Sequence, residues 1–143
     1  MPGFTSDKLN DPNDLYYDEI NQNLYISCWS SHTIVRWHIG NSTGTVIAGS
    51  SGVSGSNSTL LFNPQGKIFD QWNNLYVVDR GNNRIQLFCN GTTAGVTIAG
   101  STSGGSSLSV PYVVQLDSQM NLYVSERDRA QVSKFNKWSI PTE

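Results

Sequence analysis

Charged residues are scarce in this chain: they make up 14% of its 143 residues, where globular domains usually have about a quarter. The nine lysines and arginines are spread along the sequence and face eleven acids, which leaves a formal net charge of -2. A surface that holds nucleic-acid phosphates needs clustered basic side chains. The composition therefore argues against a nucleic-acid partner.

Long apolar runs are missing as well. No run approaches the roughly 18 residues that a membrane-spanning helix needs, so we expect no membrane span. Residues 1–9 contain no apolar stretch of the kind that marks a secretory signal. The Gly- and Ser-rich stretches at 49–58 and 100–107 contain neither a G-x-G-x-x-G nor a P-loop pattern, and G-x-S-x-G is also absent. We expect no cofactor.

What the chain does contain is a repeat. The tripeptide Asn-Leu-Tyr starts at Asn23, Asn74 and Asn121, with spacings of 51 and 47 residues. A proline precedes each copy, and an aliphatic and then an aromatic residue follow it at similar spacing. These matched positions are Pro12, Pro64 and Pro111, then Ile34, Ile85 and Val132, and then Trp37, Phe88 and Phe135.

Each repeat predicts short strands. In the second repeat, Leu75 to Val78 are all apolar, which is typical of a strand buried on both faces. This repeat reads as four strands, GKIFD, NLYVVD, RIQLF and VTIAG, with DRGNNR and NGTTAG as hairpin turns. Four strands in a repeat of this length are typical of a β-propeller blade. We predict an all-β fold: a partial β-propeller of three four-stranded antiparallel blades, the third lacking its outer strand.

The predicted blades cover residues 9–60, 61–107 and 108–138, between tails at 1–8 and 139–143. Propellers typically have four to eight blades, so three blades leave an apolar sheet face uncovered at each end. Two explanations stay open: the chain is a fragment of a longer propeller, or two copies close one ring. The end of the sequence inside a repeat favours the fragment.

The second repeat, with "NLYVVD", "GNNRI" and the aromatic that follows, resembles the NHL repeat. So does the linker from Gly49 to Pro64. The resemblance covers roughly residues 9–137, although Cys28 replaces Asp79 in the first repeat and Glu126 replaces it in the third. It implies a propeller, usually of about six blades, that serves mostly as an interaction platform. A minority of its relatives are enzymes.

Two classes of function follow. The first is a non-catalytic scaffold that binds a protein, a glycan or a small ligand, and this is the one we favour. The alternative is a lyase or hydrolase with a site in the central channel, where Asp18, Asp70 and Asp117 take matched positions. A repeat also places the same residue in every blade for structural reasons. RNA binding, as in some tripartite-motif relatives, is disfavoured by the acidic charge.

The turns after the Asn-Leu-Tyr strands supply the candidate binding surface. If the repeat places them on one face of the ring, their basic side chains form a rim. Asp79 in one of these turns supplies too few neighbouring oxygens for calcium and is better explained as a turn cap. The predicted rim residues are Arg80, Asn83, Arg84, Arg127 and Arg129.

Other chemistry-bearing residues are few. His32 and His38 fall in a turn and after a strand, with no third ligand in the pattern, so we expect no metal site. Metal-using lyase relatives offer no matching set of residues. Cys28 and Cys89 end strands that run in opposite directions, and a disulfide needs Cα atoms within about 7 Å, so we expect no bridge.

Three Asn-x-Thr sequences lie in predicted loops, at Asn41, Asn57 and Asn90. They are candidate glycosylation sites and favour an extracellular location. Several aromatic side chains could stack on a sugar or a base, although packing between blades is their commoner role. These aromatic residues are Tyr16, Tyr17, Trp29 and Trp72.

Overall fold

The computed structural model describes residues 8–100 and 107–137. Within these residues, the strands form three antiparallel sheets. The first sheet contains β1 (Pro12–Asp18), β2 (Asn23–Cys28), β3 (Thr33–His38) and β4 (Thr45–Gly49). The second contains β5 (Pro64–Phe69), β6 (Leu75–Asp79), β7 (Arg84–Phe88) and β8 (Val96–Gly100). The third contains β9 (Pro111–Leu116), β10 (Leu122–Glu126) and β11 (Gln131–Phe135). The predicted all-β partial propeller is confirmed.

The middle sheet shows why its strands lack polar alternation. Every residue of β6 and β7 is buried, because a neighbouring sheet covers each face. Most of β1 and most of β11 are exposed or half-buried, because these strands belong to the two end sheets. Burial therefore follows the position of a sheet in the stack.

The core lies between the sheets. One cluster, which includes Ile34, Leu61 and Val77, fills the space between the first and second sheets. Another, which includes Val114 and Val124, fills the space between the second and third. The first strand of the middle sheet, β5, contacts the first strands of the other two sheets, β1 and β9. These three strands form the inner wall of the molecule.

Because consecutive strands are antiparallel, the connections between them lie at two opposite ends of the sheets. We call one end the upper face: it carries the starts of β1, β5 and β9, the turns at 28–33, 79–84 and 126–131, and the chain between successive sheets. The opposite end, the lower face, carries the turns at 18–23, 69–75 and 116–122.

Matched hydrogen bonds join successive sheets at the upper face. The side chain of His32, at φ 59°, accepts the backbone N–H of Asn63 at its Nδ1 atom, over 3.1 Å. In the same place one sheet later, Asn83, at φ 50°, accepts the backbone N–H of Val110 at Oδ1, over 3.0 Å. Both side chains leave left-handed turn residues. Each junction therefore depends on an acceptor side chain at this position.

Exchanging His32 for asparagine tests this junction. Burial lowers the pKa of His32 below its ordinary 6.5, and only the neutral ring accepts at Nδ1. As the pH falls below 6.5, the unfolded chain therefore binds more protons than the folded one, and stability should decrease. His32→Asn copies Asn83 and should remove this decrease below pH 6.5.

Urea unfolding at several pH values measures the effect. His38→Asn is the matched control, because His38 is exposed and its ring bonds only the side chain of Asn23 among the described residues. The control should keep the pH dependence of the parent chain. An unchanged dependence in His32→Asn would show that the junction does not titrate through this ring.

Candidate functional site

The acid at the end of β6 organises the upper-face turn. Asp79 is fully buried, and its Oδ1 accepts the backbone N–H of Phe62 over 2.7 Å. Its Oδ2 accepts from the Asn82 side chain over 2.8 Å and from Arg84 Nε over 2.7 Å. Glu126 holds the Ser109 N–H in the same way in the third sheet. In the second and third sheets the acid therefore ties the turn to the connector that precedes the sheet.

In the first sheet a thiol replaces this acid. Cys28 is buried, burial raises its pKa, and it accepts the backbone N–H of Asn10. The position of Arg84 is taken there by Thr33, which hydrogen bonds to Ser31. The acid and its basic partner are thus absent together. Such paired replacement indicates a structural role for both.

Three of the five predicted rim residues are bound within the fold. Arg84, with 7% of its side chain exposed, pairs with Asp79 and donates to the carbonyls of the connector at residues 56, 57 and 60. The side-chain oxygen of Asn83 serves the junction with Val110. Arg129 pairs with Glu126 over 3.0 Å. The structure does not leave Arg84 open to a ligand, because the connector folds over it.

Arg80 is placed very differently. Its guanidinium carbon lies 4.5 Å from the ring centroid of Trp29 and 5.0 Å from that of Tyr112. Trp29 belongs to the matching turn of the first sheet, and Tyr112 is the second residue of β9. The side chain therefore bridges all three sheets. Its Nε is shielded from solvent and has no hydrogen-bond partner among residues 8–100 and 107–137.

The local sequence holds Arg80 in this direction. A single 3-10 turn spans Arg80–Asn82, and the N–H of Gly81 donates to the carbonyl of Phe62 over 2.7 Å. A Cβ at Gly81 would lie 2.6 Å from that carbonyl oxygen. Only glycine lets the turn approach the connector so closely, and this approach fixes the start of the Arg80 side chain.

The inner wall beside Arg80 is polar. Asn13 and Gln65 occupy the position of Tyr112 in the first two sheets, and the Asn13 amide donates to Gln65 Oε1 over 2.7 Å. Below them, the buried Lys67 donates to Asp14 Oδ2 over 2.8 Å. Burial lowers the pKa of Lys67, while its hydrogen bond to Asp14 opposes this shift. We call Trp29, Arg80 and Tyr112, with Asn13 and Gln65, the upper opening.

Arg127 lies on the far side of Tyr112. It is exposed and lines a groove of about 620 Å³ on the uncovered face of the third sheet, together with Tyr112 and Val132. It occupies the same turn position as Trp29 and Arg80. Two of the five predicted rim residues, Arg80 and Arg127, thus remain as candidates for ligand binding.

The matched aspartates lie at the opposite, lower face. Asp70 Oδ1 accepts the N–H groups of Trp72 and Asn74, and its Oδ2 accepts from the Asn74 side chain and the Tyr76 hydroxyl. Asp117 has the same arrangement, and hydrogen bonds from Asn121 above all lower its pKa to about 2. In the second and third repeats, the Asn and Tyr of Asn-Leu-Tyr therefore bond the aspartate of the preceding turn.

Asp18 is also bonded within its own turn, but by Asn21 and not by the repeat asparagine Asn23, and the two hydrogen bonds from Asn21 lower its pKa. The three carboxylates are therefore occupied by their own turns. Within the described ranges, no group of three or more His, Cys, Asp or Glu side chains could hold a metal ion.

The remaining candidates are separated in the fold. His32 lies at the upper end of β3 and His38 at its lower end. Cys28 and Cys89 are both free thiols. No helix in the part of the chain that the structure describes is long and apolar enough to cross a membrane. Asn41, Asn57 and Asn90 are exposed in loops, and their glycosylation stays a prediction.

The other aromatic candidates have mixed roles. Tyr16 packs against Tyr25 and Phe69 between the first two sheets. Trp72 is 56% exposed and lines a largely apolar groove of about 330 Å³ at the lower face, with Met120. Sequence reasoning missed Tyr112 altogether. The available signal was its position directly after a repeat proline, where the other repeats have amides.

Comparison with known proteins supports the fold. No protein-family model matches the sequence, and no curated protein matches it. Among solved structures, an auxiliary nutrient binding protein from Bacteroides thetaiotaomicron superposes with a TM-score of 0.67 at 15% identity, over 84% of this chain and 36% of that one. A gluconolactonase from Xanthomonas campestris gives 0.63 at 13%, over 86% and 37%.

A virginiamycin B lyase from Staphylococcus aureus gives a TM-score of 0.62 at 8% identity, over 97% of this chain and 44% of the lyase. The chain therefore spans less than half the length of these proteins. At such low identity the likeness concerns the fold alone: a β-propeller.

Proposed function

We propose that this chain is part of a non-catalytic, ligand-binding β-propeller, and that its ligand binds at the upper opening. The observation that carries the proposal is the guanidinium of Arg80, held between Trp29 and Tyr112 with its Nε unpartnered among the described residues. Arginine and large aromatic side chains supply much of the energy at binding sites. A side chain that is already restrained loses little entropy when a ligand binds.

An enzyme of the lyase or hydrolase type is the second candidate, because solved structures of similar fold include such proteins. The aspartates that favoured it are each bound by their own turns at the lower face. This occupation supports a binding scaffold over a hydrolytic site in the channel.

We also propose that the repeats are of the NHL type and that further sheets cover the two end faces. Leu15 is 62% exposed on the first sheet and Val132 is 66% exposed on the third, whereas the matching residues of the middle sheet, Lys67 and Ile85, are buried. Such apolar exposure favours additional sheets, from a longer polypeptide or from a second copy. A solution mass of two chains would favour the second copy.

The binding site is tested by dialysis of the chain against a mixture of small metabolites, followed by mass spectrometry. We expect one class of compound to be enriched and recovered chemically unchanged. Trp29→Leu should reduce this enrichment roughly tenfold, because it removes one wall of the opening. Trp72→Leu, which removes an exposed tryptophan at the lower face, is the control and should retain it.

Two results would contradict the proposal. Conversion of the enriched compound into a product would favour the enzyme. Equal enrichment by the parent chain and Trp29→Leu would place the ligand elsewhere. Proteins and glycans are further candidate ligands of the same face, and an extracellular location with glycans on Asn41, Asn57 and Asn90 is part of this proposal.

A further inference from the structure

We infer that the upper opening recognises a carboxylate group of its ligand, through the guanidinium edge of Arg80. This inference rests on the proposed function and adds the chemical class of the group that is bound. Three observations support it: Arg80 has no acid within ion-pair distance, the exposed edge of its fork has no partner in the described part of the chain, and two rings hold the guanidinium in place.

The charge balance comes first. The ion pairs among the described residues join Lys67 to Asp14, Arg84 to Asp79 and Arg129 to Glu126. These pairs occupy the buried acids Asp79 and Glu126 and the half-buried acid Asp14. Arg80 and Arg127, at the same turn position in successive sheets, have no carboxylate within ion-pair distance among the described residues. Asp11 and Asp128 are exposed acids of the same face, but neither forms an ion pair with Arg80, so the guanidinium of Arg80 has no internal counter-charge among the described residues.

The N–H donors of Arg80 also lack partners within the described part of the chain. A guanidinium has five N–H donors, and cation–π contacts satisfy the charge of Arg80 without accepting from these donors. Its Nε–H is shielded from water and finds no acceptor in the described part of the chain. A buried donor without a partner is costly. Since the Nε–H is shielded, a ligand would meet the terminal N–H groups of the fork, and an acceptor that carries negative charge binds such donors most strongly.

The geometry selects the shape of that acceptor. The ring centroids of Trp29 and Tyr112 lie 4.5 and 5.0 Å from the guanidinium carbon. Because the Nε side of the fork is shielded, the edge formed by the two terminal NH2 groups is the one that a ligand can reach. A carboxylate is planar and accepts two parallel N–H bonds from such an edge.

Matched probes test this inference on the full chain. Benzoate and benzamide have nearly the same shape and differ in charge, and inorganic phosphate is an anion that is not planar. Titrations are followed by the ¹H–¹⁵N NMR signals of Arg80 Nε–H and the Trp29 indole N–H. We expect benzoate to shift both signals saturably and to bind at least about tenfold more tightly than benzamide or phosphate.

Two variants localise the effect. Arg80→Lys keeps the charge and loses the planar fork, so benzoate affinity should fall about tenfold. Arg36→Met is the control: it removes an exposed arginine from β3 and with it one positive charge, which Arg80→Lys retains. Its benzoate affinity should be unchanged. The comparison of probes on the parent chain needs no variant and stays informative if Arg80→Lys folds poorly.

The outcomes separate the two proposals. Equal binding of benzoate and benzamide at Trp29 would overturn the carboxylate inference and leave the ligand site in place. Phosphate binding as tight as benzoate would also overturn it, in favour of recognition by charge alone. No shift with benzoate would overturn it as well, while the metabolite enrichment and its dependence on Trp29 decide the proposed function independently.

Discussion

Replacing Arg84 with methionine is expected to lower the free energy of unfolding by about 3–5 kcal/mol, the usual cost of breaking a buried ion pair from one side. The substitution leaves the carboxylate of Asp79 buried without its cation. It also leaves the connector carbonyls of Ser56, Asn57 and Leu60 without the donors that now satisfy them. Urea unfolding of the parent chain and the variant measures the difference.

The first sheet suggests the matched control. There Cys28 and Thr33 stand where the second sheet has Asp79 and Arg84. The double variant Asp79→Cys, Arg84→Thr should therefore be more stable than Arg84→Met, because no charge remains buried. It should not reach the parent chain, since the connector carbonyls stay unsatisfied. A double variant less stable than Arg84→Met would contradict a structural role for the pair.

Replacing Gly49 with alanine is expected to destabilise the fold by about 2–5 kcal/mol, from a positive φ and a steric clash together. Gly49 ends β4 at φ +81°, and a Cβ there would lie 2.2 Å from the backbone oxygen of His32. Backbone atoms at a sheet edge cannot move aside as a flexible side chain can. The clash also falls on the turn that joins the first two sheets.

Gly91 separates the two contributions. It has the same φ of +81°, but no atom lies within 4 Å of the position that a Cβ would take there. Gly91→Ala should therefore cost only about 1–2 kcal/mol, which is the contribution of the backbone conformation alone. Thermal and urea unfolding of the two variants provide the comparison. Equal losses would mean that the turn around His32 relaxes to accept the methyl group.

Much of the fold could be predicted because the sequence patterns that specify its strands and turns are local and occur in each repeat. Residues 75–78 are apolar on both faces of their strand, and copies of this strand recur at spacings of 51 and 47 residues, so the pattern predicts both the strand and the stacking of sheets. The lower-face turn is also local: Asp70 bonds Asn74 and Tyr76, four and six residues away. These bonds support the structural explanation of the matched aspartates over the alternative of a site in the channel.

The candidate site could be predicted only in part. The hexapeptide from Asp79 to Arg84 contains two arginines that look equivalent in sequence. In the structure one is buried under the connector at residues 56–60 and the other lies between two rings. This difference depends on chain segments that are distant in sequence. No local sequence pattern distinguishes an arginine that is bonded inside the fold from one that is available at the surface.

The sequence alone determined that this protein is built from repeated antiparallel sheets and that both faces of the middle sheet are buried. It could do so because apolar periodicity and turn residues encode strands within a few neighbouring positions. Only the tertiary structure decided which polar side chains are occupied and which are available. Arg80 meets Trp29 and Tyr112 because three sheets stack around their first strands, and that meeting joins residues from three separate repeats.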